Sequence, residues 1–543
     1  MRIFGAVTNT NARVSSIKHP YLWLLLSAAL LSAGWLGLTG LALPAAFVPL
    51  LAMSAAEEPT RRGWWRMCGR AALCFLLWNA ATVWWIWYAT PVGPIAAALV
   101  STALSLFAFM LFHTVSKIAP KPLAYTTLVS AWIAAEYWYT AGEVSWPWLV
   151  LGNGFSHDVW AVQWYEWTGV FGGSLWVLAT ALLLYEALAN PSRRRTLRAA
   201  AAYLLPMALS LVLGARCRRS DDGERVRISI LQPNVDCYDK FHGDERAQLR
   251  NIFDLLGEVP ADVDFILLPE TALPGRWWEP ALAEHPDGTT LAPLWRQLAD
   301  TLRAHHPQAM LLTGANTWHL YPTPKGSATA RPYGPLQSVD IYNTAVGIDA
   351  AGRTRLHHKG RLVIGVETTP TWIFDLFDFL TIDLGGVAGQ LGFGTHGAAF
   401  EHEGVAIAPA ICYEGLYGDF FGDHVRRGAA VTAILSNDGW WGDTPGYRHL
   451  FTISRLRAVE HRRALARSAN TGRSGFISPC GAVLQTLGWN RRGVLTEEVA
   501  VRRELTFYTR YGDYLGRMAE CVLLLSVLYC VAYRVKRRNY LVP

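Results

Sequence analysis

Apolar and polar positions divide this chain into two kinds of stretch. The first kind is long and nearly free of charge, and its members lie at 21–37, 41–55, 71–88, 94–115, 125–139, 170–188, 199–213 and 519–533. Several of them approach the roughly 20 residues that an α-helix needs to cross a bilayer. The pattern therefore predicts a membrane-embedded α-helical bundle with about eight spans, the last of them near the end of the sequence.

Between the seventh and eighth apolar stretches, short β-rich runs alternate with stretches of helical period. The runs lie at 226–231, 265–268, 309–313, 405–411 and 431–435, and the helical stretches at 244–256, 291–304, 420–427 and 448–466. The Gly- and Pro-rich segment 321–336 is typical of a loop. Strands that alternate with helices predict an α/β domain with layered sheets, whose functional residues lie at strand ends.

These two patterns predict three parts of the chain. Residues 1–215 form a seven-span N-terminal membrane domain, residues 216–517 a water-soluble α/β domain, and residues 518–543 a final span with a short tail. The composition agrees, because 52% of the 543 residues are hydrophobic and only 17% are charged, whereas soluble proteins average about 25% charged. Glu136, Glu143 and Glu166 lie in or near the apolar stretches, and the sequence predicts no partner for them.

The net charge of +7 would suggest a nucleic-acid partner if it were spread over the soluble part. Instead, lysines and arginines cluster in every second connection between apolar stretches, at 61–70, 117–121 and 193–198, and are absent from 90–93. Basic loops face the cytoplasm. The distribution predicts cytoplasmic termini, an outer, periplasmic location for 216–517, and no nucleic-acid partner. The arginines at 216–219 run against this assignment and are partly offset by Asp221 and Asp222.

The eight cysteines form no CxxC pair and have no ligand-like spacing. The sequence therefore predicts neither a disulfide framework nor a zinc site. His357 and His358 are adjacent, and neighbouring side chains on a strand point to opposite sides. Because no third ligand is evident, we predict no metal and no other cofactor.

Cys412 lies at a position that suits a catalytic nucleophile. The apolar run at 405–411 stops at Cys412, and Tyr413, Glu414 and Gly415 follow at once. A thiol at the tip of a strand, with backbone N–H groups beside it, is well placed to accept an acyl group. A buried structural cysteine is the alternative, because most single cysteines are of that kind.

Two other polar residues also follow or interrupt apolar runs. Glu270 comes directly after the run at 265–268, and Lys359 lies in RLHHKGRLV at 355–363. A glutamate, a lysine and a cysteine suffice for acyl transfer: the carboxylate takes the thiol proton, the cysteine attacks, and the ammonium with the Tyr413 N–H stabilises the oxyanion. The residues alone do not require the three to meet, since Glu270 could cap a turn and Lys359 could be a surface lysine.

Five ordered motifs resemble the nitrilase superfamily. They read LLPETALP at 267–274, HHKGRLVIGVETTP at 357–370, ICYEGLYG at 411–418, SNDGWWG at 436–442 and RAVEHRRALARSANTGRSGFISPCG at 457–481. With the flanking spans, and with SWPWLVLGNGFS at 145–156, LQPNVD at 231–236 and TFYTRYGDYLG at 506–516, nearly the full length resembles the membrane-bound acyltransferase branch of that superfamily. The resemblance implies an α-β-β-α sandwich for the soluble domain and a place in the bacterial inner membrane.

The resemblance also implies roles for particular residues. Glu270 is expected to be the general base, Lys359 the oxyanion-stabilising lysine and Cys412 the nucleophile. The residues expected to support these three are Glu414, Glu367, Tyr413, Asn437 and Trp440. Tyr238 and Phe241 are expected near the lipid entrance. The family usually has a sequence like LVPFGEYVP after the lysine, whereas this chain has LVIGVETTP, which lacks one proline and the tyrosine.

The implied reaction completes lipoprotein maturation. Cys412 takes an acyl chain from a phospholipid as a thioester, and the α-amine of a diacylglyceryl-cysteine at an apolipoprotein N-terminus then accepts it. The partners are thus a phospholipid donor, a diacylated apolipoprotein and the membrane, and the protein is expected to be a monomer. A membrane-tethered amidase, whose acyl-enzyme is hydrolysed by water, is one alternative. A non-catalytic scaffold that kept the fold is another.

Overall fold

A computed structural model describes residues 19–219, 223–282, 292–368 and 390–539. The chain divides into two compact units. The first ends at Trp84, resumes from Pro91 to Val212 and includes the chain from Asp513 onwards. The second comprises Trp85–Thr90 and Leu213–Gly512.

The first unit is helical. In chain order its helices are α1 (Pro20–Ser32), α2 (Leu43–Ala56), α3 (Arg61–Val83), α4 (Gly93–Ile118), α5 (Lys121–Ala141), α6 (Tyr165–Ala189), α7 (Arg193–Arg219) and, numbered after the helices of the second unit, α14 (Tyr514–Asn539). Within the described residues, α3 with its short extension, α4, α6, α7 and α14 are long and apolar enough to cross a membrane, and α1 and α2 are shorter apolar helices. The helical bundle is confirmed, but the predicted count of eight spans is not.

Two carboxylates inside the first unit have well-defined partners. Glu57 follows α2 and accepts hydrogen bonds from Arg66, at 2.9 Å, and from Arg70. Glu136 lies in α5, where its Oε1 accepts from Trp132 Nε1 at 3.0 Å and from the Leu151 backbone N–H at 2.7 Å. The partners of Glu136, which the sequence did not predict, fix the segment after α5 against that helix.

The second unit contains two β-sheets. The first has the strand order β14-β1-β2-β4-β6-β5, with β3 paired to β4 and β7 to β6, and the second has the order β13-β12-β11-β10-β9-β8. The strands are β1 (Arg225–Gln232), β2 (Phe265–Leu267), β3 (Trp277–Trp278), β4 (Met310–Tyr321), β5 (Arg331–Pro332), β6 (Ser338–Asp349), β7 (Thr354–His358), β8 (Phe400–His402), β9 (Val405–Ile411), β10 (Val431–Ser436), β11 (Leu465–Ala469), β12 (Ser474–Ile477), β13 (Val483–Leu487) and β14 (Gly493–Ala500).

Helices cover the outer face of each sheet. They are α8 (Asp239–His242), α9 (Glu245–Gly257), α10 (Pro293–His305), α11 (Gly418–Arg426), α12 (Pro445–His461) and α13 (Phe507–Tyr511). Apolar residues of α9 and α10 form one core with β2, β4 and β6, and residues of α11 and α12 form another with β9, β10 and β11. The inner faces of the sheets meet where Ser468 of β11 donates to the Leu231 carbonyl at 2.9 Å. The predicted α-β-β-α sandwich is confirmed.

Two predicted boundaries are wrong, and one strand was not predicted. The helix predicted at 448–466 ends at His461, because Arg462 has φ +49° and the chain then enters β11. The run predicted at 309–313 continues as β4 to Tyr321. Strand β6, whose residues are all buried, was not predicted, since a strand covered on both faces loses the alternation of polar and apolar residues.

The absence of a disulfide was also predicted wrongly. Cys217, near the end of α7, is bonded to Cys480, which follows β12, and their Cα atoms are 6.0 Å apart. The two cysteines are 263 residues apart in the sequence, so no local spacing pointed to the pair. Arg502 donates to the Cys217 carbonyl at 2.8 Å beside the bond. The disulfide therefore closes residues 217–480, most of the second unit, into one covalent loop.

We expect thiol counting to detect this bond. With any thioester first removed by hydroxylamine, a denatured but unreduced sample should alkylate six cysteines, and a reduced one all eight. Mass spectrometry of the intact protein gives both counts. In Cys480→Ser, Cys217 should react without reduction. Alkylation of all eight cysteines in the unreduced wild type would contradict the pairing.

Candidate active site

Three strand ends bring the predicted catalytic residues into one buried place. Glu270 comes three residues after β2 ends, Lys359 follows β7 of the same sheet, and Cys412 follows β9 of the other sheet. Their side chains are 1–8% exposed. The site thus lies between the two sheets.

Lys359 is held between two carboxylates. Its Nζ donates to Glu270 Oε1 at 2.9 Å and to Glu367 Oε1 at 2.8 Å. The amide of Asn343, in β6, bridges the same two oxygens, at 2.7 Å from Glu270 and 3.0 Å from Glu367. The second oxygen of Glu270 accepts from the Asn437 backbone N–H at 2.9 Å. Glu270 is therefore fixed in position by residues from both sheets, and Glu367 by residues of the first sheet.

The charges of this group stabilise one another. Burial alone would raise the pKa of Glu270, but the Lys359 ammonium holds it below its usual value. Burial alone would lower the pKa of Lys359, but the negative charges of Glu270 and Glu367 raise it well above its usual value. At neutral pH the site therefore contains a charged Lys359 beside an ionised Glu270, which can accept a proton.

Cys412 adopts an unusual backbone conformation beside this group. Its φ is +44°, in the left-handed region, and Thr271 next to Glu270 has φ +46°. Such angles in residues other than glycine are strained and concentrate at functional sites. Burial, followed by the negative charge of Glu270, raises the pKa of the Cys412 thiol, and Lys359 opposes the rise. The resting thiol is therefore protonated and needs a base to become a nucleophile.

Glu414 connects the loops that carry the cysteine and the lysine. Its Oε2 accepts from the Ile411 backbone N–H at 2.6 Å, and its Oε1 accepts from the Gly360 N–H at 2.6 Å. Ile411 precedes Cys412, and Gly360 follows Lys359. The side chain is fully buried. Glu414 thus fixes the end of β9 relative to the end of β7.

The other predicted residues fall into two groups. Asn437 reaches the site through its N–H on Glu270, and Tyr413 is buried with its ring edge-on to Tyr417 at 5.2 Å. Trp440 packs edge-on against the exposed Tyr238, with ring centroids 5.4 Å apart. The side chain of Phe241 lies outside the described residues.

The structure adds two residues that sequence reasoning missed. Asn343 was missed because β6 was not predicted. Lys240 lies in α8, and its buried Nζ donates to the Glu270 carbonyl at 2.6 Å. Burial, opposed by the charge of Glu270, lowers the pKa of Lys240 to about 7. In the sequence, the only feature that pointed to Lys240 was its position after LQPNVD, in a segment interpreted as the lipid entrance.

The fold and these residues define the second unit as a carbon-nitrogen hydrolase domain: that family matches residues 227–505. The family described as apolipoprotein N-acyltransferase N-terminal domain matches residues 24–183. An apolipoprotein N-acyltransferase from Chlorobaculum tepidum is 28% identical and covers 91% of this chain and 92% of its own. One from Bordetella bronchiseptica is 30% identical, with 71% and 70% covered. The chain belongs to the apolipoprotein N-acyltransferase family.

Proposed function

We propose a two-step mechanism for the activity that the family membership establishes. The chain transfers an acyl chain from a phospholipid to the N-terminal α-amine of the diacylglyceryl-cysteine of apolipoproteins. In the proposed route the acyl chain forms a thioester with Cys412, Glu270 acts as the general base, and Lys359 is the cation that stabilises the oxyanion. The observation that carries it is geometric: Lys359 donates to Glu270 at 2.9 Å, and these two residues and Cys412 are buried at strand ends of the two sheets.

In the first step, the Cys412 sulfur attacks the ester carbonyl of the phospholipid while Glu270 takes the thiol proton. The resulting oxyanion is stabilised by Lys359 and the Tyr413 N–H. When the tetrahedral intermediate collapses, the ester C–O bond breaks, and the leaving alkoxide takes the proton from Glu270. A lysophospholipid departs, and the acyl group remains on sulfur.

In the second step, the α-amine of the apolipoprotein attacks the thioester carbonyl. Glu270 removes a proton from the attacking nitrogen, and the same two groups stabilise the second oxyanion. Collapse breaks the C–S bond, and the thiolate recovers its proton from Glu270. Because one product leaves before the second substrate reacts, ping-pong kinetics follow. Water must be excluded between the steps, since it would hydrolyse the thioester.

We also propose a division of the chain into three parts and a topology for them in the membrane. The chain is a bacterial membrane protein with apolar spanning helices. We assign residues 1–215 to a membrane domain, 216–517 to a periplasmic catalytic domain and 518–543 to a last span with a cytoplasmic tail. The disulfide of the second unit supports a periplasmic location, because such bonds persist in oxidising compartments.

We expect purified protein incubated with phosphatidylethanolamine to carry an acyl group on Cys412. Peptide mapping should find the added mass on the peptide that contains Cys412, and hydroxylamine should remove it. A diacylated peptide with a free α-amine should discharge the adduct, and the same peptide with an acetylated amine should not.

Two results would contradict this proposal. An adduct on another cysteine would exclude Cys412 as the nucleophile, and the absence of any adduct would exclude the thioester route. Loss of the adduct at the same rate with and without the free amine, together with release of fatty acid, would favour hydrolysis and the amidase alternative.

A further inference from the structure

Three buried side chains converge beside the nucleophile without a role in the proposed reaction steps. His357 is the second-to-last residue of β7, Glu414 lies two residues after Cys412, and His424 lies in α11. One donor atom from each lies within 4.8 Å of the others, and all three residues are at most 4% exposed. The ring centroids of the two histidines are 4.9 Å apart. We call these residues the His–Glu–His cluster.

His424 has the features of a metal ligand. Its Nδ1 lies 2.8 Å from the Ala398 carbonyl oxygen and 2.9 Å from the Ala398 nitrogen. Its Nε2 is buried and has no hydrogen-bond partner among the described residues. Ligating histidines commonly donate their second ring N–H to a backbone carbonyl, which leaves the other nitrogen free to bind the ion. The Ala398 N–H donates to Nδ1 when that nitrogen carries no proton, and Nδ1 donates to the Ala398 carbonyl when it does. An ion bound to Nε2 selects the second tautomer.

The contact between His357 and Glu414 also fits a shared ion. His357 Nε2 is 3.2 Å from both oxygens of the Glu414 carboxylate, which is long and symmetric for a hydrogen bond. Two donor atoms bound to a tetrahedral zinc ion lie about 3.3 Å apart, given metal–ligand distances of about 2.0–2.1 Å. The backbone N–H groups on Glu414 are the outer contacts that ligating carboxylates usually have.

We propose that the His–Glu–His cluster binds a divalent transition-metal ion of the zinc class. Two imidazoles and one carboxylate form a donor set that suits zinc, and the ion would compensate the buried negative charge. His357 lies two residues before Lys359, and Glu414 lies two residues after Cys412. The ion therefore acts as a structural brace that sets the separation of lysine and cysteine. It takes no part in the acyl-transfer steps.

The sequence concealed this site because its ligands are far apart in the chain. His357 and His358 do point to different sides, as predicted: His358 Nε2 contacts Glu279 at 2.7 Å and its ring stacks on Tyr342. Only His357 faces the cluster. The missing ligands come from residues more than 50 positions away, which only the fold brings near.

The test uses full-length, detergent-purified Cys412→Ala, so that the reactive thiol cannot bind the added metal. After zinc loading and gel filtration, elemental analysis should find about one zinc ion per chain. Cys412→Ala/His424→Ala should retain less than a tenth of that amount. The matched control Cys412→Ala/His358→Ala removes a neighbouring histidine outside the cluster and should keep its zinc. Cobalt substitution should give the visible absorption of a tetrahedral site only when the cluster is intact.

A second measurement covers the case in which His424→Ala does not fold. Chelation should lower the melting temperature of Cys412→Ala, and added zinc should restore it. Equal zinc in the His424 and His358 double variants, or no zinc and no chelator-dependent melting in Cys412→Ala, would overturn the proposal. These outcomes are independent of acyl transfer, so failure of the metal site and failure of the proposed mechanism are distinguishable.

Discussion

Cys412→Ala is expected to lower the rate of acyl transfer by about 10⁴-fold or more, since catalytic groups that act as a unit fail together. The thiol is the only group in the proposed route that forms a bond to the acyl chain. Glu270→Gln removes the proton acceptor but keeps its shape, and Lys359→Ala removes the cation beside the oxyanion. Each should cost about 10³-fold or more. Transfer of a labelled acyl chain from phospholipid to a diacylated peptide measures these losses.

Controls separate chemistry from folding in these variants. Cys74→Ala makes the same substitution at another fully buried cysteine, in α3, and should transfer at close to the wild-type rate. Cys412→Ala/Glu270→Gln should be little worse than Cys412→Ala alone, because the base has no function without the thiol. Retention of a tenth of wild-type activity by Cys412→Ala, or additive losses in the double variant, would refute the shared role.

The strand-end positions of the three proposed catalytic residues could be predicted because each has a local signature. The run predicted at 405–411 coincides with β9, so Cys412 was placed at a strand end from apolar patterning alone. Glu270 and Lys359 likewise follow strands of the observed sheet. The apolar pattern could not predict that these three residues lie close together, since they come from two different sheets. The motif resemblance predicted their proximity.

The residues that surround the three were harder to predict. Asn343 lies in a strand buried on both faces, where polar residues are satisfied by long-range contacts that leave no periodic trace. Lys240 is an ordinary lysine by sequence, and only its burial against the Glu270 carbonyl distinguishes it. The disulfide and the His–Glu–His cluster depend on residues brought together from distant positions. Sequence spacing carries information about neighbours in the chain, whereas these contacts are set by how the sheets pack.

Glu414→Gln should lower kcat by about 10- to 100-fold and change KM little. Both carboxylate oxygens accept backbone N–H groups at 2.6 Å, so one end of the glutamine amide must place its NH₂ against an N–H. A buried hydrogen bond to a charged group contributes about 1.5–3 kcal/mol, and about 1.4 kcal/mol corresponds to a factor of ten in rate. Because these bonds position Cys412 and Lys359 and do not contact substrate, we expect the loss in kcat.

Comparison with His424→Ala separates the two ways in which Glu414 can act. If Glu414 acted only through a bound ion, Glu414→Gln and His424→Ala would lose the same activity and the same zinc. The backbone hydrogen bonds of Glu414 predict instead that both variants lose zinc but that Glu414→Gln is at least tenfold slower than His424→Ala. Glu401→Gln, at an exposed position on β8, is the matched control and should keep both activity and metal. A Glu414→Gln enzyme within threefold of the wild-type kcat would show that its hydrogen bonds do not position the nucleophile.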